Sequence, residues 1–235
     1  WNVTARMNQP FIKEFKEERE LTLMLLVDVS SSGGFGTAEK LKNEVSAEIA
    51  SILAFAAIKN NDKIGLVIFS DKIEHTIPPK KGKAHIWNII RTILNFKPEG
   101  KGTNLSLPLE YLLKIQKQKT TAFLISDFQS DDYEITLKQA KQKHDLVAIS
   151  ITDPREETLP DVGLIELEDA ESGETLLVDT HDKEMTKEYA NQFQKKRALR
   201  KTYFSSIGID TIEILTNRSL TDPIIRYFKM REKKH

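Results

Sequence analysis

Two kinds of hydrophobic pattern alternate along the chain. Leu21–Val27 (LTLMLLV), Lys63–Phe69 (KIGLVIF), Thr120–Ser126 (TTAFLIS) and Leu146–Ile151 (LVAISI) are short, nearly unbroken apolar runs. Runs of this length, ended by Ser, Asp or Gly, predict strands buried on both faces. Between them apolar residues recur at three- and four-residue steps, which predicts helices. Ala38–Asn60 carries Leu41, Val45, Ile49, Ile52, Leu53 and Ala56; His85–Asn95 carries Ile86, Ile89, Ile90, Ile93 and Leu94; Leu105–Gln116 carries Leu109, Leu112 and Leu113. A further helix, capped by Asp131 or Asp132, is expected to run to about Lys141. Lys72–Ile77 alternates and then meets Pro78 and Pro79, the mark of a short edge strand. Strands separated by helices predict an α/β fold: a doubly wound, mostly parallel central sheet with helices on both faces, Rossmann-like in the broad sense.

Beyond Asp153-Pro154 the pattern changes. Val162–Glu168 and Glu174–Asp179 flank DAESG, which predicts an added β-hairpin at about 162–179 with Gly173 in its turn. Lys183–Ser206 reads as a long charged helix with Met185, Tyr189, Phe193, Leu199 and Phe204 as its buried stripe, capped by Gly208. Ile209–Leu215 predicts a last strand at the far edge of the sheet. Ser219–Arg231 predicts a closing helix that tolerates Pro223 in its first turn. Residues 1–20 fit neither period and are expected to form an arm leading into one domain spanning 21–235. No repeat or Pro/Gly linker divides that domain.

Composition narrows the function classes. Lys+Arg and Asp+Glu are both 35, so the net charge is zero and no global field favours nucleic acid or a membrane surface. There is no cysteine, which excludes disulfides, thiolate metal sites and cysteine nucleophiles and fits a reducing, cytoplasmic compartment. No apolar run reaches the roughly 18 residues a membrane span needs.

The candidate chemistry lies at the strand ends. The first strand is followed by Asp28, Ser30 and Ser32, then Gly33, Gly34 and Gly36. The loop before the Leu105 helix supplies Thr103, and the Thr120 strand ends in Asp127. Carboxyl ends of parallel strands share one edge, so these five oxygen-bearing residues can converge where open α/β sheets bind ligands. Hard oxygen donors without His or Cys suit Mg²⁺, or Mn²⁺ or Ca²⁺ in its place. An extended Asp28–Ser32 segment would spread its donors over roughly 13 Å, so they share one ion only if the glycine-rich loop curls. With Ser30, Ser32 and Thr103 bound directly and the two acids through water, the ion keeps enough positive field to attract a partner's Glu or Asp. The competing reading makes Asp28 and Asp127 turn residues and the hydroxyls helix caps. Spacing alone leaves both open.

The same five residues, in the same order, resemble the metal-ion-dependent adhesion site of von Willebrand factor A (VWA) domains. The resemblance covers Leu21 to about Ile151, with Gly33-Gly34 after the second serine where VWA domains often carry Met or Gly. A wider resemblance covers nearly the whole chain. WNVTAR, EFKEERELTLMLLVDVS, LISDF, HDLVAISITDPRE, LPDVG and the DAESGE–LVDT hairpin are similar to the bacterial VWA-like family called domain of unknown function fifty-eight. In that family a further region usually precedes the WxxTAR stretch, so the resemblance implies a missing N-terminal part. Its genes often accompany MoxR-type AAA+ ATPases. The resemblance therefore implies an adaptor or chaperone-like partner of such an ATPase or its client, acting as a non-enzymatic, metal-dependent protein-interaction module.

Rival chemistries fit less well. A dinucleotide loop would need glycine where Glu39 stands after Gly34-Phe35-Gly36, and a Walker A loop fails because Gly102 follows Gly100-Lys101. A Mg²⁺-dependent phosphohydrolase using the same strand-end acids is the enzyme alternative. It would want a second acid two residues after Asp28, where Ser30 stands. A serine hydrolase lacks a base, because His75, His85, His144 and His181 are isolated, and His144 reads as structural. Asp131, Asp132, Glu156 and Glu157 either rim the metal edge or lie in solvated loops. Lys195, Lys196, Arg197, Arg200 and Lys201 read as a solvated helix face rather than a nucleic-acid surface.

Overall fold

The computed structural model describes residues 21–30, 42–100, 102–168 and 175–233. The N-terminal arm, Ser32 with its neighbouring glycines, the predicted helix start at Ala38 and the hairpin turn DAESG lie outside the described residues.

A six-stranded sheet has the order β3-β2-β1-β4-β5-β8, built from β1 (Thr22–Asp28), β2 (Lys63–Phe69), β3 (Ile73–Lys80), β4 (Thr121–Ser126), β5 (Asp145–Thr152) and β8 (Asp210–Leu215). All pairings are parallel except β2–β3. Met24 to Val27 of β1 are 0% exposed, as their unbroken apolar run requires. Successive strand residues feed opposite layers. Leu25 and Val27 pack with Val45, Ile49 and Leu53 of α1 (Lys42–Asn60), Ile86 and Ile89 of α2 (Lys83–Leu94) and Ile224 of α7 (Thr221–Glu232). Met24 and Leu26 pack with Leu109 of α3 (Ser106–Ile115), Leu137 of α4 (Glu134–Lys143) and Phe204 of α6 (Lys183–Ser206). Each buried side chain of this size contributes about 1.5–3 kcal/mol. β6 (Leu164–Glu168) and β7 (Thr175–Asp179) form the separate antiparallel hairpin that the pattern predicts.

The chain leaves β1 for β2 and β3 on one side and returns to β4 on the other. The strand order therefore reverses between β1 and β4, the place where such sheets bind ligands.

β3 runs further than predicted, through Pro78 and Pro79 to Lys80. The two prolines sit in a register irregularity between the pairs Ile64↔Lys80 and Leu66↔Ile77, opposite Gly65. A Cβ on Gly65 would lie 3.0 Å from both the Ile77 carbonyl oxygen and the Pro79 nitrogen, so this bulge requires glycine. A second irregularity, between Ile68↔His75 and Phe69↔Ile73, leaves Glu74 as the extra residue.

Three local expectations are corrected. Neither Asp131 nor Asp132 caps α4: the N-cap is Tyr133 without a side-chain bond, because Asp132 adopts φ 61° in the preceding turn. Of the proposed stripe of α6 only Phe204 is fully buried: Met185, Tyr189 and Phe193 are half-buried, and Leu199 is 62% exposed. The solvated basic face is broken, since Arg197 pairs with Glu157 and Glu213 and Arg200 turns toward the sheet. The Gly208 cap forms as expected. Gly208 at φ 73° donates to the Ser205 carbonyl, and Ile209 N–H donates to that of Phe204, a Schellman closure.

Candidate functional site

Asp28 closes β1 and is 6% exposed. One carboxylate oxygen accepts the Ser30 N–H (3.0 Å) and the other accepts the hydroxyl of Ser126 (2.6 Å), the last residue of neighbouring β4. Burial, and then the charge of Asp127, push the Asp28 carboxyl up to about 6, against the lowering effect of these hydrogen bonds. Ser30 is 1% exposed.

Asp127 follows β4, and Phe128 after it adopts φ 57°, the left-handed region that non-glycine residues rarely take. Arg200 holds this bend from α6. Its Nη1 donates to the Asp127 carbonyl (2.8 Å), and its Nη2 donates to the Ser150 hydroxyl (3.0 Å). The Phe128 ring packs edge-on against Phe204 at 5.2 Å.

Thr103 arrives on a separately anchored loop. The bulged Glu74 accepts the Gly100 N–H (2.7 Å) and the Ser70 hydroxyl (2.8 Å), and Asn104 N–H donates to the Ser70 carbonyl (2.9 Å). Burial opposes ionisation of Glu74, but these donors and Lys72 outweigh it and hold the carboxyl below its usual range. The Thr103 carbonyl accepts the Ser130 hydroxyl (3.0 Å), tying the loop to the one that carries Asp127. Among the described residues its own hydroxyl oxygen is buried with no hydrogen-bond partner. Buried polar groups are rarely left so.

Lys42, in the first turn of α1, was not among the candidate residues. It is 3% exposed, donates to Asp127 Oδ2 (2.8 Å) and pairs with Glu156. Burial works against its charge, but the Asp127 and Glu156 carboxylates hold the ammonium above its ordinary value. The signal was present: Lys42 falls in phase with Ser46, Ile49 and Leu53 on the buried side of the helix. Glu156 belongs to α5 (Pro154–Glu157), a single turn that the strand-and-helix pattern did not predict. Asp153 caps it in a capping box with Glu156, and Pro154 opens it; this start signal was also legible.

Asp28, Ser30, Lys42, Ser46 and Asp127 line a cavity of about 10 Å³, the space of one small particle. Thr103 is not among its lining residues. Thus the structure gathers Asp28, Ser30 and Asp127, places the Thr103 hydroxyl on a neighbouring loop, and leaves Ser32 outside the described residues. Asp127 and Ile151 also face a cleft of about 660 Å³, lined further by Glu156, Tyr189, Phe193 and Lys196. Among the described residues no three His, Asp or Glu side chains cluster as metal ligands. Hydroxyls with two acids are instead a donor set that would suit a hard divalent ion.

A mostly parallel sheet whose strand order reverses between β1 and β4, with Asp28 and Asp127 flanking that point, defines a VWA-like α/β protein. Two solved structures share this fold. One is the conserved hypothetical protein BatB from Bacteroides thetaiotaomicron, with TM-score 0.57 at 13% identity over 90% of this chain and 98% of that one. The other is the SpRpn10 VWA domain, with TM-score 0.50 at 15% identity over 88% and 95%. The chain belongs to the family described as "Protein of unknown function DUF58", whose model matches residues 1–199. An uncharacterised protein of Mycobacterium tuberculosis is 28% identical over 236 residues, spanning 99% of this chain and 74% of the relative. Among the described residues no helix is long and apolar enough to cross a membrane.

Proposed function

We propose that this chain is a non-enzymatic protein-interaction module that docks an acidic side chain of its partner through a divalent ion, Mg²⁺ by preference. Asp28, Ser30, Ser32, Thr103 and Asp127 would hold the ion. When bound, it supplies a positive centre that a partner's Glu or Asp can complete. The observation that carries the reading is the buried hydroxyl of Thr103, without a hydrogen-bond partner among the described residues, on a loop anchored beside that of Asp127. Asp28 and Ser30 at the β1/β4 reversal support it, as does the adjoining cleft, large enough for a side chain to reach Asp127 from outside. The partner in this proposal is a MoxR-type AAA+ ATPase or its client in the cytoplasm, which the family resemblance supports. Phosphoryl transfer is disfavoured by Ser30, which stands where an acid/base carboxylate would be needed.

Calorimetric titration with Mg²⁺ and Mn²⁺ tests the metal. One site is expected, weakened by Ser30→Ala and by Asp127→Ala. No measurable uptake at millimolar ion refutes the metal reading. Metal-dependent co-purification with the neighbouring-gene ATPase, lost in chelator, tests the partner. Robust phosphatase turnover abolished by Asp28→Asn would establish the enzyme instead.

A further inference from the structure

Lys42 brings a positive charge into the small cavity that Asp28, Ser30 and Asp127 line. Its side chain is 3% exposed, so it depends on its anionic partners to remain charged there. Asp127 has no idle oxygen: Oδ1 accepts the Gln129 N–H at 3.1 Å and Oδ2 accepts Lys42 at 2.8 Å. A second cation approaching Asp127 therefore meets an oxygen already committed and a like charge at close range. Glu156 offers Lys42 another resting place. It contacts the ammonium already, and the Asp153 N–H (3.2 Å) and the Gln129 side chain (3.3 Å) hold it in position.

We propose that Lys42 is a tethered counter-ion of Asp127 that competes with the divalent ion for the strand-end site. Metal entry parts the Lys42–Asp127 pair and leaves Lys42 on Glu156 alone. The inference rests on the metal reading above and adds to it a residue that sets the affinity of the site. It also gives the protein a state in which the Asp127 carboxylate is paired without any ion.

Lys42→Met keeps the length of the side chain and removes its charge. In Mn²⁺ calorimetry of the full chain this variant is expected to bind roughly tenfold more tightly than the unaltered protein. Binding no tighter overturns the proposal. A merely structural lysine would lower the melting temperature without tightening metal binding. A second measurement uses the unaltered protein and does not depend on the variant folding. The Lys42 ammonium resonance, followed by NMR during Mg²⁺ titration, should shift as the pair parts; an unmoved resonance at saturating Mg²⁺ overturns the proposal. The outcomes separate the two readings. Uptake by the variant but not by the unaltered protein supports counter-ion exclusion and ends the metal-dependent function. Equal uptake by both ends the counter-ion and leaves that function standing. No uptake by either ends both.

Discussion

Thr103→Val exchanges a hydroxyl for a methyl in nearly the same volume. Among the described residues the Thr103 hydroxyl oxygen is buried and has no hydrogen-bond partner. Burying a hydroxyl unpaired costs on the order of 1–3 kcal/mol, and a methyl in the same space carries no such penalty. The variant in chelator is therefore expected to be more stable by about 1–3 kcal/mol. For a chain of this size that raises the melting temperature by roughly 2–4 °C per kcal/mol. With Mg²⁺ the advantage of valine is expected to shrink. The unaltered protein gains about 2.7 kcal/mol at a hundredfold excess of ion over its dissociation constant, whereas a variant short of one ligand gains less. Urea unfolding of both proteins in EDTA and in millimolar Mg²⁺ measures all four stabilities. A valine protein less stable than the original in EDTA would show that the hydroxyl is satisfied in solution. An identical gain from Mg²⁺ in both proteins would remove Thr103 from the ligand set.

Further expectations concern the surroundings. His144 is 2% exposed, neither ring nitrogen has a partner among the described residues, and burial followed by the charge of Lys143 pushes its imidazole below the ordinary value. The unfolded chain then takes up the proton more readily, so His144 costs nothing above the unfolded value near 6.5 and destabilises increasingly as pH falls below it. The stability of His144→Leu relative to the original should rise between pH 7 and pH 5; two parallel pH profiles would refute this. Comparing the two proteins cancels Asp28, whose raised value of about 6 acts in the opposite sense by losing stability as pH rises through it. Gly100→Ala would bring a Cβ to 2.1 Å from the Ser70 hydroxyl and 2.2 Å from an Asp71 carboxylate oxygen. A loss of about 1–3 kcal/mol and weaker metal uptake are expected, because the same loop carries Thr103; unchanged unfolding would count against the clamp.

The four central strands were legible because they are buried on both faces. Nothing but an apolar run serves at Met24–Val27 or Ile64–Phe69, and the hydrophobic pattern carries the fold. The acids at strand ends were legible for a related reason, since topology alone places Asp28 and Asp127 on one edge. Lys42 escaped because one lysine at a helix start reads as solvated until its phase with Ile49 and Leu53 is weighed. Arg200 escaped for a different reason. Its targets, the Asp127 carbonyl and Ser150, lie many residues away in sequence, and no local pattern records a bond to a distant backbone oxygen. The α6 stripe was legible in part, because apolar residues spaced along a long helix do not reveal how deeply each part of that helix is covered.

Among the described residues strand β3 forms one border of the main sheet, and a border is ordinarily an invitation. Its free N–H and C=O groups can recruit another chain's backbone, in productive strand addition or in aggregation. Here Pro78 and Pro79 remove two donors in succession, and the bulge opposite Gly65 breaks the even spacing that an incoming strand would need. That side offers a poor backbone handhold to a client or to a second copy of the chain. Under the proposed interaction function, recognition would then be left to side-chain chemistry at the loops.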